Sequence, residues 1–119
     1  LTRQHVGEPL GERIIVSGRV LDEDGRPHCY DLRTGADRWK DEAKLKGGTT
    51  WGSVVHAGGR LYVTMRTGET AVLAADPRFE LLAVNPLGPG EQTNSSPAVA
   101  GGQIYLRTFR HLWCVAGQR

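Results

Sequence analysis

The stretch SVVHAGGRLYVT at residues 53–64 recurs without a gap as SPAVAGGQIYLR at residues 96–107, which lie 43 positions later. A serine, an Ala-Gly-Gly turn and a tyrosine stand at the same places in both stretches, and apolar residues flank each tyrosine. A repeat of about 40–45 residues built from short strands is typical of a β-propeller blade. Because such scaffolds carry many activities, the repeat predicts an architecture and leaves the chemistry open.

Turn signals divide the rest of the chain into short strands, spaced by about 8–12 residues as in all-β folds. Asp24-Gly25 is typical of a hairpin turn, and the polar residues 1–12 indicate an extended arm. No helical periodicity persists along the chain. Strands are predicted near residues 13–21, 28–32, 36–40, 51–56, 60–65, 70–75, 79–85, 96–100, 103–109 and 111–116.

We therefore expect a single all-β domain over residues 1–119, built from antiparallel, propeller-blade-like repeats. The expected parts are an arm and hairpin over 1–27, a partial blade over 28–50, a blade over 51–94 and a partial blade over 95–119. Propellers close with at least about four blades, so two to three blades form an incomplete propeller. Such a chain is a fragment, assembles with its own copies, or rearranges into a small barrel or sandwich in which 13–40 pair with 96–116.

Composition excludes several classes of function. The formal net charge is only +2 and the basic residues are scattered, so we expect no nucleic-acid binding. The apolar runs are too short for a membrane-spanning helix, and no signal peptide is visible. Because the sequence begins with Leu1, we expect a mature or excised piece. Cys29 and Cys114 are expected to be buried, in different blades, and therefore not to form a disulfide.

Candidate catalytic and metal-binding residues form no recognisable pattern. No two histidines are spaced like zinc ligands on one element, and the tyrosines lie on apolar strands, where packing is the ordinary role. Asp22-Glu23-Asp24-Gly25 begins like a calcium loop, but Arg33 stands where the ligating Glu belongs. We expect no catalytic residue, no metal site and no cofactor. The residues considered are His5, His28, His56, His111, Tyr30, Tyr62, Tyr105, Ser17, Ser53, Ser95 and Ser96.

Residues 28–116 resemble the PQQ-like β-propeller repeat proteins. The resemblance begins with an Asp-x-x-Thr-Gly turn in CYDLRTG at residues 29–35, followed by Trp39. It implies a propeller architecture, with tryptophans that fill gaps between neighbouring sheets, and it implies no particular activity. It continues through Trp51-Gly52-Ser53, residues 59–63, 72–75, 93–99 and 111–115.

Residues 1–27 resemble a different family, the intradiol ring-cleaving dioxygenases, and within it the β subunit of protocatechuate dioxygenase. The similarity lies in LTRQHVGEPLGERIIV at residues 1–16 and GRVLDEDGRP at residues 18–27. That family uses non-haem iron held by two tyrosines and two histidines, which lie downstream of this segment, so no ligand can be assigned here. The two resemblances together predict a chimera, natural or laboratory-made; a natural fusion fragment is the alternative.

The leading functional hypothesis is a structural β-repeat module without catalytic activity of its own, which self-associates as a homo-oligomer through open sheet edges. One alternative is a propeller fragment that binds a partner strand. Another is a fragment of an iron-dependent dioxygenase. Tyr62, Tyr105, Val63, Leu106, Leu73, Trp39 and Trp113 are the expected core.

Overall fold

The described part of the chain forms ten β-strands arranged in three antiparallel sheets. The computed structural model describes the backbone of residues 8–10 and 13–16, and residues 27–39, 50, 52–76 and 78–116 with their side chains. No helix occurs in these ranges, which confirms the all-β class. The strands are β1 (Glu8–Leu10), β2 (Arg13–Val16), β3 (His28–Asp31), β4 (Val55–Ala57), β5 (Arg60–Thr64), β6 (Thr70–Ala74), β7 (Leu81–Asn85), β8 (Ala98–Ala100), β9 (Gln103–Arg107) and β10 (Leu112–Ala116).

The second and third sheets show the blade-like pattern that the repeat predicts. In the second sheet, β4 to β7 pair in chain order, so each strand lies beside the next. The third sheet has the same order over β8, β9 and β10. The prediction of antiparallel, blade-like repeats is therefore confirmed. β7 carries a bulge at Leu82, since Val72 pairs with Ala83 while the next residue, Leu73, pairs with Leu81.

The 43-residue repeat is reproduced in backbone geometry. Gly58 and Gly59 have φ angles of 59° and 74°, and Gly101 and Gly102 have 58° and 75°. Positive φ at both central residues defines the type I′ turn, whose twist suits a two-residue hairpin. Glycine at these positions therefore sets the β4–β5 and β8–β9 hairpins.

A second repeated feature was not foreseen from the sequence. The Thr50 hydroxyl donates a hydrogen bond to the carbonyl oxygen of Thr64. The Thr93 hydroxyl does the same to the carbonyl of Arg107, at 2.6 Å. Each threonine lies before the first strand of its sheet, and its hydrogen bond connects this position to the end of the second strand of the same sheet.

The first sheet is formed by β1, β2 and β3 in that order. Residues 8–10, expected in an extended arm, are a strand paired with β2. β2 pairs in turn with β3, so residues 13–16 and 28–31 do not pair with the third sheet, and the barrel alternative is wrong for these strands. The strand expected over 36–40 is reduced, within the described residues, to a bridge between Tyr30 and Asp37. The turn expected at Asp24-Gly25 lies outside the described residues.

The hydrophobic core lies between the first and second sheets. Trp39, Cys29, Leu61 and Leu73 are fully buried there. The Trp39 indole N–H donates to the carbonyl of Asp76 at 3.2 Å, and its ring meets Phe79 edge to face, with the ring centroids 5.4 Å apart. Trp39 therefore fills the gap between two sheets, as its position in the resemblance implies.

The expected core is only partly correct. Trp39, Val63, Leu73 and Leu106 are buried, as predicted. Tyr62, Tyr105 and Trp113 are half-buried instead. Tyr62 faces a cleft between the second and third sheets. Tyr105 lies on the face of the third sheet that points away from this cleft. Its cross-strand neighbours on that face, Cys114 and Ala98, are both exposed.

The second and third sheets approach each other closely where their first strands begin. The Ser53 amide donates to the Ser96 hydroxyl at 2.7 Å, which joins two equivalent positions of the repeat. A Cβ on Gly52 would lie 2.4 Å from the carbonyl oxygen of Ser95, so only glycine fits. The Thr93 amide also donates to the Arg66 carbonyl at 3.0 Å. These contacts fix the spacing of the two sheets at one end.

Asp31 organises the turn that follows β3. Its carboxylate accepts the Arg33 amide at 2.9 Å and the Thr34 amide at 3.2 Å, and its other oxygen accepts from the Arg38 guanidinium at 3.0 Å. The Arg38 hydrogen bond is the largest of the interactions that lower the pKa of Asp31 from 3.8 to about 2. The backbone then turns through Gly35, whose φ is 75°. This is the Asp-x-x-Thr-Gly turn recognised in the sequence.

Replacing Trp39 tests the interface between the first and second sheets. Trp39→Ala leaves a large cavity and an unpaired Asp76 carbonyl, so we expect it to lower the free energy of unfolding by about 3–5 kcal/mol. Phe109→Ala is the control, because Phe109 is 60% exposed and should cost little. Urea denaturation of both variants provides the measurement. Equal midpoints for the two variants would contradict the packing described here.

The Asp31 turn predicts a stability loss in acid. Because the pKa of Asp31 is lowered by folding, its contribution is complete above about pH 4 and is lost as the pH falls through about 2. We expect Asp31→Asn to flatten the fall of unfolding free energy between these pH values. Arg38→Gln should flatten it as well, because Arg38 is the largest cause of the shift. Urea titrations across this pH range provide the test, and an unchanged fall in Asp31→Asn would refute it.

Candidate functional site

A cleft lies between the second and third sheets. Its volume is about 820 Å³. Its walls are largely apolar, because Tyr62 and Val72 face it from the second sheet and Ile104 and Val115 from the third. A smaller pocket of about 100 Å³ shares these four residues and extends to Leu106. Cavities of this size and character accept small molecules.

The charged group of the cleft lies at its mouth. Arg60 is the first residue of β5, on the same face as Tyr62 two positions later, and its side chain is exposed. Asn85, the last residue of β7, lines the other end of the cleft, because the register places it level with Thr64. Among the lining residues that the structure describes, Arg60 carries a full charge and none is a carboxylate. The mouth therefore favours an anionic group.

The outer edge of β10 is the second candidate site. Within the described ranges no strand pairs with the side of β10 that faces away from β9. Leu112 is 71% exposed and Val115 is 44% exposed. Residues 112–116 carry no charge. An uncharged, unpaired edge is a template for another strand.

A cluster of polar side chains surrounds the buried Glu91 at the β9–β10 turn of the third sheet. Glu91 is only 6% exposed, and its carboxylate lies 2.5 Å from the His111 ring nitrogen Nδ1. Burial alone would raise the pKa of Glu91, but hydrogen bonds with Thr108 and His111 outweigh it, and the pKa is lowered. One Glu91 oxygen and the Trp113 indole N–H are buried without a fully formed hydrogen bond. The cluster secures the β9–β10 hairpin and holds the His111 ring in place.

The histidines considered in the sequence do not converge. His28 lies on β3, contacts Asp37 at 3.0 Å and stacks on Tyr30, with the ring centroids 5.8 Å apart. His56 lies on β4, and His111 precedes β10. In the part of the chain that the structure describes, no group of three or more His, Cys, Asp or Glu side chains could hold a metal ion. His5 and Ser17 lie outside the described residues.

The cysteines differ from the prediction. Cys29 is buried in the core, as expected, but Cys114 is exposed on β10, because the outer face of the third sheet lacks a covering layer among the described residues. The two cysteines do not form a disulfide with each other. Cys114 lies directly opposite Tyr105, and its hydrogen bond and electrostatic interaction with the phenol are the main causes that raise the pKa of Tyr105.

Three features of the candidate sites were missed in the sequence. Arg60 stands within the repeat and was treated only as part of a strand. Glu91 lies outside the predicted strands, and its burial was not expected. The exposure of Cys114 depends on which face of the sheet is covered. The sequence offered one signal for the mouth of the cleft, which is the charged residue Arg60 at the start of an otherwise apolar strand.

No helix among the described residues is long and apolar enough to cross a membrane.

Comparison with known proteins gives limited likenesses of two kinds, one in a short stretch of sequence and one in the fold. No family model matches the chain. A stretch of 21 residues is 81% identical to the protocatechuate 3,4-dioxygenase β chain of Burkholderia cepacia, covering 18% of this chain and 9% of that protein. The crystal structure of BamB from Moraxella catarrhalis is similar with a TM-score of 0.46 and 15% identity, over 92% of this chain and 48% of that chain. The chain thus spans less than half the length of either protein.

Proposed function

We propose that this chain is a non-catalytic β-repeat module whose function is association, through the open edge of β10, with a second copy of itself. The observation that carries the proposal is the outer edge of the uncharged strand Leu112–Ala116, with which no strand of the described residues pairs. The second sheet has a fourth strand, β7, in the corresponding position. A strand from another copy would complete the third sheet in the same way.

The backbone groups available at this edge follow from the register. The Thr108 amide donates to the His111 carbonyl at 2.8 Å, which makes these two residues a hydrogen-bonded pair in the β9–β10 ladder. Because hydrogen-bonded and non-hydrogen-bonded pairs alternate in antiparallel sheets, Trp113 and Val115 also point their N–H and C=O groups towards β9. Leu112, Cys114 and Ala116 therefore direct theirs outward.

A two-fold axis is the simplest arrangement for two identical edges. The antiparallel register with the greatest overlap pairs each Leu112 with Ala116 of the second copy and sets the two Cys114 residues opposite each other. Their Cα atoms would then be about 5.5 Å apart, as in any hydrogen-bonded antiparallel pair. Cys114 is exposed and so reports directly on this pairing.

We also propose that the chain is a chimera of a dioxygenase-like segment and a PQQ-like repeat segment. The short match to the dioxygenase β chain supports the first part. The Asp31 turn, the burial of Trp39 between two sheets and the paired Gly-Gly turns support the second.

The association is tested by sedimentation equilibrium and thiol cross-linking. We expect a homodimer in which a short bismaleimide links Cys114 to Cys114, whereas buried Cys29 remains unreacted. Cys114→Ser should abolish the cross-link and keep the dimer. Cys114→Lys should dissociate the dimer, because it places two like charges opposite each other.

Phe109→Lys is the control, since it adds the same charge in the exposed turn beside the edge. A monomer across a hundredfold range of concentration would refute the proposal, as would a dimer that survives Cys114→Lys. Circular dichroism of each variant verifies that the fold is retained.

A further inference from the structure

The cleft between the second and third sheets has two distinct ends. At the inner end, Tyr62, Val72, Ile104, Leu106 and Val115 enclose the small pocket of about 100 Å³. Val72 is 8% exposed and Leu106 is 2% exposed, so the inner wall is well shielded. At the outer end, Leu82, Val99 and Arg60 border the wider space of about 820 Å³. Thr70 and Asn85 also line the inner pocket, so the inner end is apolar with two neutral polar side chains, and the charged side chain of the lining, Arg60, lies at the outer end.

The two sheets cannot easily close this space. Gly52 against Ser95 and the Ser53–Ser96 hydrogen bond hold them together at one end. The bulge at Leu82 shifts the outer strand of the second sheet and brings Leu82 into the lining. Apolar surface that remains open in this way is stabilised by covering it with an apolar ligand, at about 25 cal/mol for each Å² removed from water.

Arg60 gives the cleft its charge preference. No ion pair of Arg60 is found among the described residues, and the residues that line the cleft with it include no carboxylate. A guanidinium binds a carboxylate or sulfonate through two parallel hydrogen bonds.

We propose that this cleft binds a small anionic amphiphile, with a hydrocarbon chain between Tyr62, Ile104 and Val115 and its carboxylate at Arg60. The chemical class is that of a medium-chain fatty acid. This site is separate from the β10 edge. Val115 directs its side chain into the cleft, whereas the preceding residue, Cys114, directs its side chain to the opposite face of the sheet. The proposal does not depend on dimer formation.

The probes are octanoate and 1-octanol, which have the same chain and differ in charge. Each is titrated, below its aggregation concentration, into the full chain while the amide NMR signals are recorded. We expect saturable shifts at Val72, Ile104 and Val115, with octanoate bound more tightly than octanol. Arg60→Gln should weaken octanoate about threefold, as expected for an exposed ion pair, and leave octanol unchanged.

Two further variants complete the test. Arg78→Gln removes the same charge at an exposed position outside the cleft and should leave both affinities unchanged. Val99→Trp places a large ring in the cleft, where Val99 is 38% exposed, and should weaken both probes. Non-saturable shifts, shifts that map to another surface, or equal losses of octanoate and octanol in Arg60→Gln would each overturn the proposal.

Discussion

A stacked sheet can bury its two faces only against its neighbours, and this constraint governs the whole chain. The second sheet is covered on one side by Cys29 and Trp39, and its residues Leu61 and Leu73 are fully buried there. On its other side it meets the third sheet across a cleft, and Tyr62 is only half-buried. Beyond the third sheet, Leu112 is exposed. Burial therefore decreases from the first interface to the outermost face.

Local features of the fold were predictable because they depend on residues close in sequence. The Gly58-Gly59 and Gly101-Gly102 turns need positive φ angles, which glycine adopts at no steric cost. Asp31 forms its turn through the amides of the next few residues. These signals are enough to predict the strands of the second and third sheets, whereas residues 8–10 were expected in an extended arm and the order of the strands was not predicted. They do not indicate which face of a strand is covered.

The candidate sites depend on contacts between distant segments, and this is why sequence reasoning did not find them. Glu91 is buried only because the hairpin from Thr108 to His111 closes over it. The cleft exists because close contact at Gly52 is not continued to the outer strands. Tyr62 and Tyr105 occupy equivalent repeat positions, yet one faces a neighbouring sheet and the other an open surface. Equivalence in sequence therefore did not imply equivalence in environment.

Antiparallel strands pair in the same way in this chain although their sequences are unrelated. β2, from the segment that resembles a dioxygenase, pairs with β3 in the same antiparallel manner in which β5 pairs with β6. Such pairing uses backbone groups that every residue except proline supplies. β10 combines two roles by the same geometry, because alternate residues point to opposite faces and alternate amides point to opposite edges. Val115 can line the cleft while the backbone of Cys114 remains available at the edge, so one strand can serve a ligand and a partner independently.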